Sequence, residues 1–103
     1  MKIRIIILII LVFSFFSPLK SDEIFVKGKE IFLNAGNCAT CHSLKDAGSV
    51  TNIGPNLNEI RPDMGRIKNA VVNGIGVMPS ALGILTEEEI DAVSYYVSIS
   101  SNE

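Results

Sequence analysis

The chain has 103 residues, room for one small domain, and a formal net charge of −2 at neutral pH. With 9 Lys and Arg against 11 Asp and Glu, it lacks the basic surplus that nucleic acid or an anionic membrane surface selects. Only two cysteines and one histidine are present, too few soft ligands for a four-coordinate structural zinc site.

A basic start, Met1-Lys2-Ile3-Arg4, precedes an apolar run from Ile5 to Phe16 broken only by Ser14. That run is shorter than the ~20 residues of a membrane-spanning helix. It reads as a secretory signal peptide over residues 1–21, with cleavage after Ser21. Uncut, it would serve as a short membrane tether. The remaining domain, residues 22–103, keeps 6 basic and 11 acidic residues, a net charge of −5. This suits a soluble protein that meets a redox partner with a basic docking patch, and equally serves plain solubility.

The first expected helix runs from Glu23 to Asn34, with Asp22 as its N-cap and Ala35-Gly36-Asn37 as its stop. Ile24, Gly28, Ile31 and Phe32 share one face. A glycine inside a helix costs roughly 1 kcal/mol against alanine, so Gly28 implies close passage of another helix.

Cys38-Ala39-Thr40-Cys41-His42 follows and contains both cysteines and the single histidine. The spacing C-x-x-C-H reads as a c-type haem attachment site. Positions i, i+3 and i+4 share one face of a helical turn. Cys38 and Cys41 can therefore each form a thioether with a haem vinyl group while His42 offers a nitrogen to the iron. A redox dithiol is the competing reading, but it calls for a βαβ pattern, and no convincing strand surrounds this motif. Consecutive Cys41 and His42 also make poor joint tetrahedral zinc ligands. In an exported chain, haem attachment would consume two thiols that otherwise tend to pair, and would staple a domain too small to rest on its core alone.

Ser43 to Pro55 carries no periodicity and reads as a loop leading into Gly54-Pro55-Asn56-Leu57. A metal-ligating histidine usually donates its second ring N–H to a carbonyl, and that of Pro55 is the candidate for His42. A second helix is expected from Asp63 to Asn73, with Pro62 in its first turn, Gly74 closing it, and Ile67, Ala70 and Val71 as its buried stripe. Arg61, Arg66 and Lys68 face solvent or the haem propionates.

Gly74-Ile75-Gly76-Val77-Met78-Pro79 is a glycine- and proline-defined loop. Electron-transfer haems take His and Met as an axial pair. Met78, 36 residues after His42, is the candidate second ligand, whereas Met64 falls inside the second helix and reads as core filler. The last helix opens on a capping box, Thr86 with Glu89, buries Ile90, Val93, Tyr96 and Val97, and ends near Ser98. No paired-carboxylate, serine–histidine or phosphate-loop constellation points to catalysis, so no enzyme activity and no small-molecule substrate are expected.

In this order the chain resembles the class I c-type cytochromes of the small monohaem bacterial type. The resemblance rests on Gly28 and Phe32, C-A-T-C-H, Gly54-Pro55-Asn56-Leu57, the G-x-G-x-M-P loop, and L-T-x-x-E-I-x-x-V-x-x-Y-V from Leu85 to Val97. It implies a small all-α cytochrome c fold of three to four helices around one covalent haem c. It also implies that Cys38 and Cys41 hold the haem, that His42 and Met78 are its axial ligands, and that the first and last helices cross at Gly28 against Phe32 and Tyr96. The expected role is one-electron transport between periplasmic or membrane redox partners. The alternatives are a haem subunit of a periplasmic dehydrogenase or oxidase complex, and an open-iron sensor.

Overall fold

The computed structural model describes residues 20–103. The signal-peptide expectation for residues 1–21 falls almost wholly outside the described residues. Those described hold four α-helices, α1 Ser21–Leu33, α2 Leu57–Ile60, α3 Met64–Asn73 and α4 Glu87–Ser100, with a 3₁₀ turn at Cys38–Thr40. No strand forms among them beyond isolated bridges. The fold is all-α.

Helix α1 starts earlier than the sequence suggests. Lys20 takes the extended cap dihedrals, and its carbonyl accepts from the N–H groups of Glu23 and Ile24. Asp22 is therefore not the N-cap. It sits with Glu23 in the first turn, where negative charge complements the free N–H groups. The helix stops at Asn34, and Gly36 N–H closes back onto the Ile31 carbonyl at 2.8 Å. Asn37 then takes a left-handed φ of 55°, which turns the chain into the Cys38–Thr40 turn.

Helices α1 and α4 cross at Gly28. A Cβ there would run into the backbone carbonyl of Ala92 and come 2.5 Å from the Tyr96 Cβ. The absent side chain is what lets the two backbones meet. Tyr96 fills the crossing, with the Phe25 ring 4.9 Å and the Phe32 ring 5.8 Å away, both edge-on. Phe32 and Tyr96 are fully buried. Ile31, Leu44, Leu57, Ile67, Val71, Ile90, Val93 and Val97 complete the core around them.

The Tyr96 hydroxyl donates to Asp46 Oδ2 at 2.7 Å, and Lys29 Nζ approaches the same oxygen at 3.3 Å. This tie joins the segment just after His42 to the helix crossing. Burial, then the acceptor role and charge of Asp46, push the Tyr96 phenol above its ordinary value of 10.0.

Three further boundaries differ from expectation. Helix α2 is four residues long, too short for any periodicity to announce it, and is capped by Asn56, whose side chain accepts from Asn58 N–H at 2.9 Å. Pro62 lies ahead of α3 rather than in its first turn, because Asp63 takes the cap and accepts from Arg66 N–H at 2.8 Å. Met64 opens α3 and is 39% exposed, so it is not core filler; at the helix end it lies beyond the packed stripe of Ile67 and Val71. The capping box of α4 is complete, Thr86 and Glu89 bonding reciprocally at 2.9 and 3.2 Å. The helix runs to Ser100 rather than Ser98. Val97 and Ser100 are buried in its last turn, and the Ser100 hydroxyl donates to the Tyr96 carbonyl at 2.7 Å. Lys68 pairs with Asp91 at 2.7 Å, which fastens α3 to α4.

Two outcomes follow from the crossing. Gly28→Ala, which sets a methyl against backbone, lowers stability by about 3 kcal/mol, the upper part of the overpacking range, in a urea titration. Folded Tyr96 keeps its proton at pH values where the unfolded chain has lost it. Its contribution to stability is therefore complete below pH 10.0 and is lost as pH rises. Tyr96→Phe removes that alkaline decline, at most about 1.4 kcal/mol per pH unit, in unfolding curves recorded across the range.

Candidate haem site

The attachment motif sits on a turn with little strength of its own. Within it, Thr40 N–H reaches Asn37 O at 3.3 Å and Cys41 N–H reaches Cys38 O at 3.2 Å, both long; His42 N–H to Cys38 O is shorter at 2.9 Å. The turn is set by its flanks. Asn37 supplies the left-handed step before it. Gly36 passes so close that a Cβ would lie 3.2 Å from Cys38 Sγ.

After the turn the chain doubles back as a strap over residues 51–57. Thr51 Oγ1 donates to Ala39 O at 2.6 Å, with His42 O 3.3 Å away. Gly54 N–H donates to Cys41 O at 2.7 Å, and Leu57 N–H donates to Ser43 O at 3.1 Å. The strap brings Pro55 to His42, whose Nδ1 lies 2.8 Å from the Pro55 carbonyl. A carbonyl can only accept, so Nδ1 carries the proton and Nε2 keeps its lone pair. Gly54 lies against the ring. A Cβ there would stand 2.7 Å from Cε1, 2.9 Å from Nδ1 and 3.1 Å from Nε2 of His42.

Met78 stands on a separate frame. Residues 75 and 78 exchange backbone hydrogen bonds of 2.9 and 3.1 Å. Gly74, at a φ of +74°, leaves no room for a Cβ beside the Met78 carbonyl, 2.7 Å away. The loop is anchored on α3 by Ser80 Oγ to Val72 O at 2.5 Å and Ala81 N–H to Val71 O at 2.8 Å. Met78 itself is half-buried against the core.

Cys38 and Cys41 are both half-buried and unpaired. Burial pushes the Cys38 thiol from 9.0 up to about 11; a backbone hydrogen bond opposes this and the Cys41 sulfur adds to it. A dithiol oxidoreductase needs the opposite shift, toward thiolate. Among the described residues, no three His, Cys, Asp or Glu side chains gather in a metal-holding cluster. The donor set does suit a c-type haem. It offers two unpaired thiols on one turn, an imidazole with Nε2 free beside the second thiol, and a thioether on a fixed loop. Ile53 and Val77, the neighbours of Gly54 and Met78, are 70% and 94% exposed, apolar surface next to both candidate ligand positions.

Gly54 and Thr51 are the site residues that sequence reasoning leaves out. Gly54 belongs to a quoted motif, but its contact with the ring is a packing fact. Thr51 lies in a stretch without periodicity and carries no local signal.

The family model described as cytochrome C oxidase, cbb3-type, subunit III matches residues 25–97. Cytochrome c6 of Euglena gracilis is 40% identical over 78 residues, 68% of this chain and 85% of that protein. Cytochrome c6 of Cladophora glomerata is 37% identical over 81 residues, 73% of this chain and 87% of that one. The crystal structure of the c-type cytochrome SorU from Sinorhizobium meliloti superposes with a TM-score of 0.75 at 48% identity, covering 80% of this chain and 95% of that chain.

Gly54→Ala forces the His42 ring off the Pro55 carbonyl. Gly65→Ala, whose Cβ meets nothing nearer than Asp63 Oδ1 at 3.4 Å, leaves the ring in place. The exchange-protected ring N–H resonance in proton NMR checks this, surviving in Gly65→Ala and disappearing in Gly54→Ala.

Proposed function

This chain belongs to the class I c-type cytochromes and carries covalently bound haem c, and from that premise we propose that it is an exported, periplasmic one-electron carrier with His42 and Met78 as axial ligands. The observation that carries the reading is the 2.8 Å contact of His42 Nδ1 with the Pro55 carbonyl, which presents Nε2 as a fixed ligand beside Cys41.

When bound, the haem supplies a one-electron iron couple, and every other task falls to the chain. The Cys38 and Cys41 sulfurs hold the group covalently. Pro55 keeps the imidazole in one tautomer, and its acceptance from Nδ1–H makes Nε2 the stronger donor. The Met78 thioether, on the loop fixed by the 75–78 backbone bonds, would be the second ligand and would favour a high potential. With both positions filled, no substrate would need to bind. The surrounding apolar side chains exclude water and leave an edge through which redox partner proteins meet the group.

The acidic balance, −5 over residues 22–103, suits a partner with a basic patch, met in a small and transient contact. Export and periplasmic location rest on the apolar run before residue 21. Among the described residues, no helix is long and apolar enough to cross a membrane. A second reading, a haem subunit of a dehydrogenase or oxidase complex, draws on the matched family description, which names an oxidase subunit. Co-purification with a catalytic subunit separates the two.

Met78→Ala is expected to keep the haem attached but open the sixth position, seen as a change from low-spin to high-spin absorption. Retention of the parent spectrum removes Met78 from its role. Cys38→Ala and His42→Ala are expected to lower holoprotein yield severely, and normal haem incorporation in both contradicts the attachment model.

A further inference from the structure

We propose that Thr51 is a positioning residue for the haem-attachment turn, its hydroxyl latching the 51–57 strap onto the backbone between the two cysteines. The proposal rests on the reading of Cys38, Cys41 and His42 as the haem site and adds the element that holds their backbone in shape.

The turn holds itself only in part. Its two i→i+3 bonds are long, at 3.2 and 3.3 Å, and one i→i+4 bond, His42 N–H to Cys38 O, is 2.9 Å. The strap adds three bonds from outside, at 2.6 Å from Thr51 Oγ1 to Ala39 O, 2.7 Å from Gly54 N–H to Cys41 O and 3.1 Å from Leu57 N–H to Ser43 O. The strap takes alternate carbonyls. Residues 39, 41 and 43 accept from residues 51, 54 and 57 in turn. Two of these donors are backbone N–H groups, present whatever the side chain. Thr51 is the side-chain donor of the series, so this is the point where sequence decides whether the strap closes. Its acceptor is the carbonyl of Ala39, inside C-x-x-C, with the His42 carbonyl as the next nearest at 3.3 Å. The residues that follow Thr51 are those that touch the imidazole, Gly54 on its face and Pro55 at Nδ1. A loosened latch therefore reaches the ligand through three residues of chain.

The effect on the iron has a definite sign. The Nδ1–H to Pro55 bond strengthens Nε2 as a donor, which favours the ferric state. Freeing the strap weakens that bond and raises the potential.

The test uses holoprotein of the parent, Thr51→Val and Thr51→Ser. Valine keeps the shape and loses the donor, whereas serine keeps the donor and loses a methyl. Mass spectrometry first counts thioether-bound haem in the parent; its absence overturns the underlying haem reading and not merely the role of Thr51. With haem present, amide exchange at Cys41, His42 and Gly54 should quicken about tenfold in Thr51→Val, the change an ordinary lost hydrogen bond brings. The midpoint potential should rise, amides at the α1–α4 crossing should stay unchanged, and Thr51→Ser should match the parent in all three. Failure of Thr51→Val to mature while Thr51→Ser matures normally also supports the latch. The proposal is overturned by a Thr51→Val protein indistinguishable from the parent. It is equally overturned by exchange that quickens uniformly across the fold, or by a Thr51→Ser protein that behaves like Thr51→Val.

Discussion

The structure depends on one approach that an extra carbon would forbid. At Gly28 the backbone of α1 lies against the Ala92 carbonyl and the Tyr96 Cβ, and no side chain larger than hydrogen fits. The two longest described helices are locked there, and the rest of the domain is hung from them. Tyr96 fills the notch, and its hydroxyl reaches Asp46, four residues after His42. At the other end of α1, the Gly36 and Asn37 turn delivers Cys38. Both flanks of the attachment motif are thus fixed to the same crossing, one through chain continuity and one through the partly buried Tyr96–Asp46 hydrogen bond.

This arrangement answers a problem of size. The described residues are few with which to bury a core, and two of the three hydrogen bonds inside the attachment turn are long. Strength is imported instead. Helices α1 and α4 support the turn from one side and the 51–57 strap closes it from the other. The Met78 loop is carried on α3, which Lys68 and Asp91 fasten to α4. An electron carrier gains from such support, because a ligand set held from outside changes little between two charge states of the iron.

What the sequence reveals follows the reach of each interaction. The capping box of Thr86 and Glu89 is legible because its partners are three residues apart, and the buried stripe of α4 because helical spacing repeats it. Gly28 is legible for a different reason: a costly residue in a helix demands a cause, and close crossing is the cheapest one. Other features lie beyond such reasoning. Asp46 and Tyr96 are 50 residues apart, with nothing in either segment to pair them. Helix α2 is too short for periodicity; Asp22, expected as a cap, lies in the first turn of α1, whereas Asp63, expected as the first residue of its helix, is the cap. In the site, the motif and its named partners come from local pattern. The contacts of Gly54 with the imidazole and of Thr51 with Ala39 exist only once the strap has folded back.

The absorption spectrum of protein exported from a host with haem-attachment machinery, recorded oxidised and then reduced, tests the central claim most directly. A low-spin, six-coordinate haem is expected in both states, with the weak methionine-sulfur-to-iron band in the oxidised form. A high-spin spectrum would contradict the two-ligand carrier and favour an open iron. A well-exported protein without haem would contradict the account at its root.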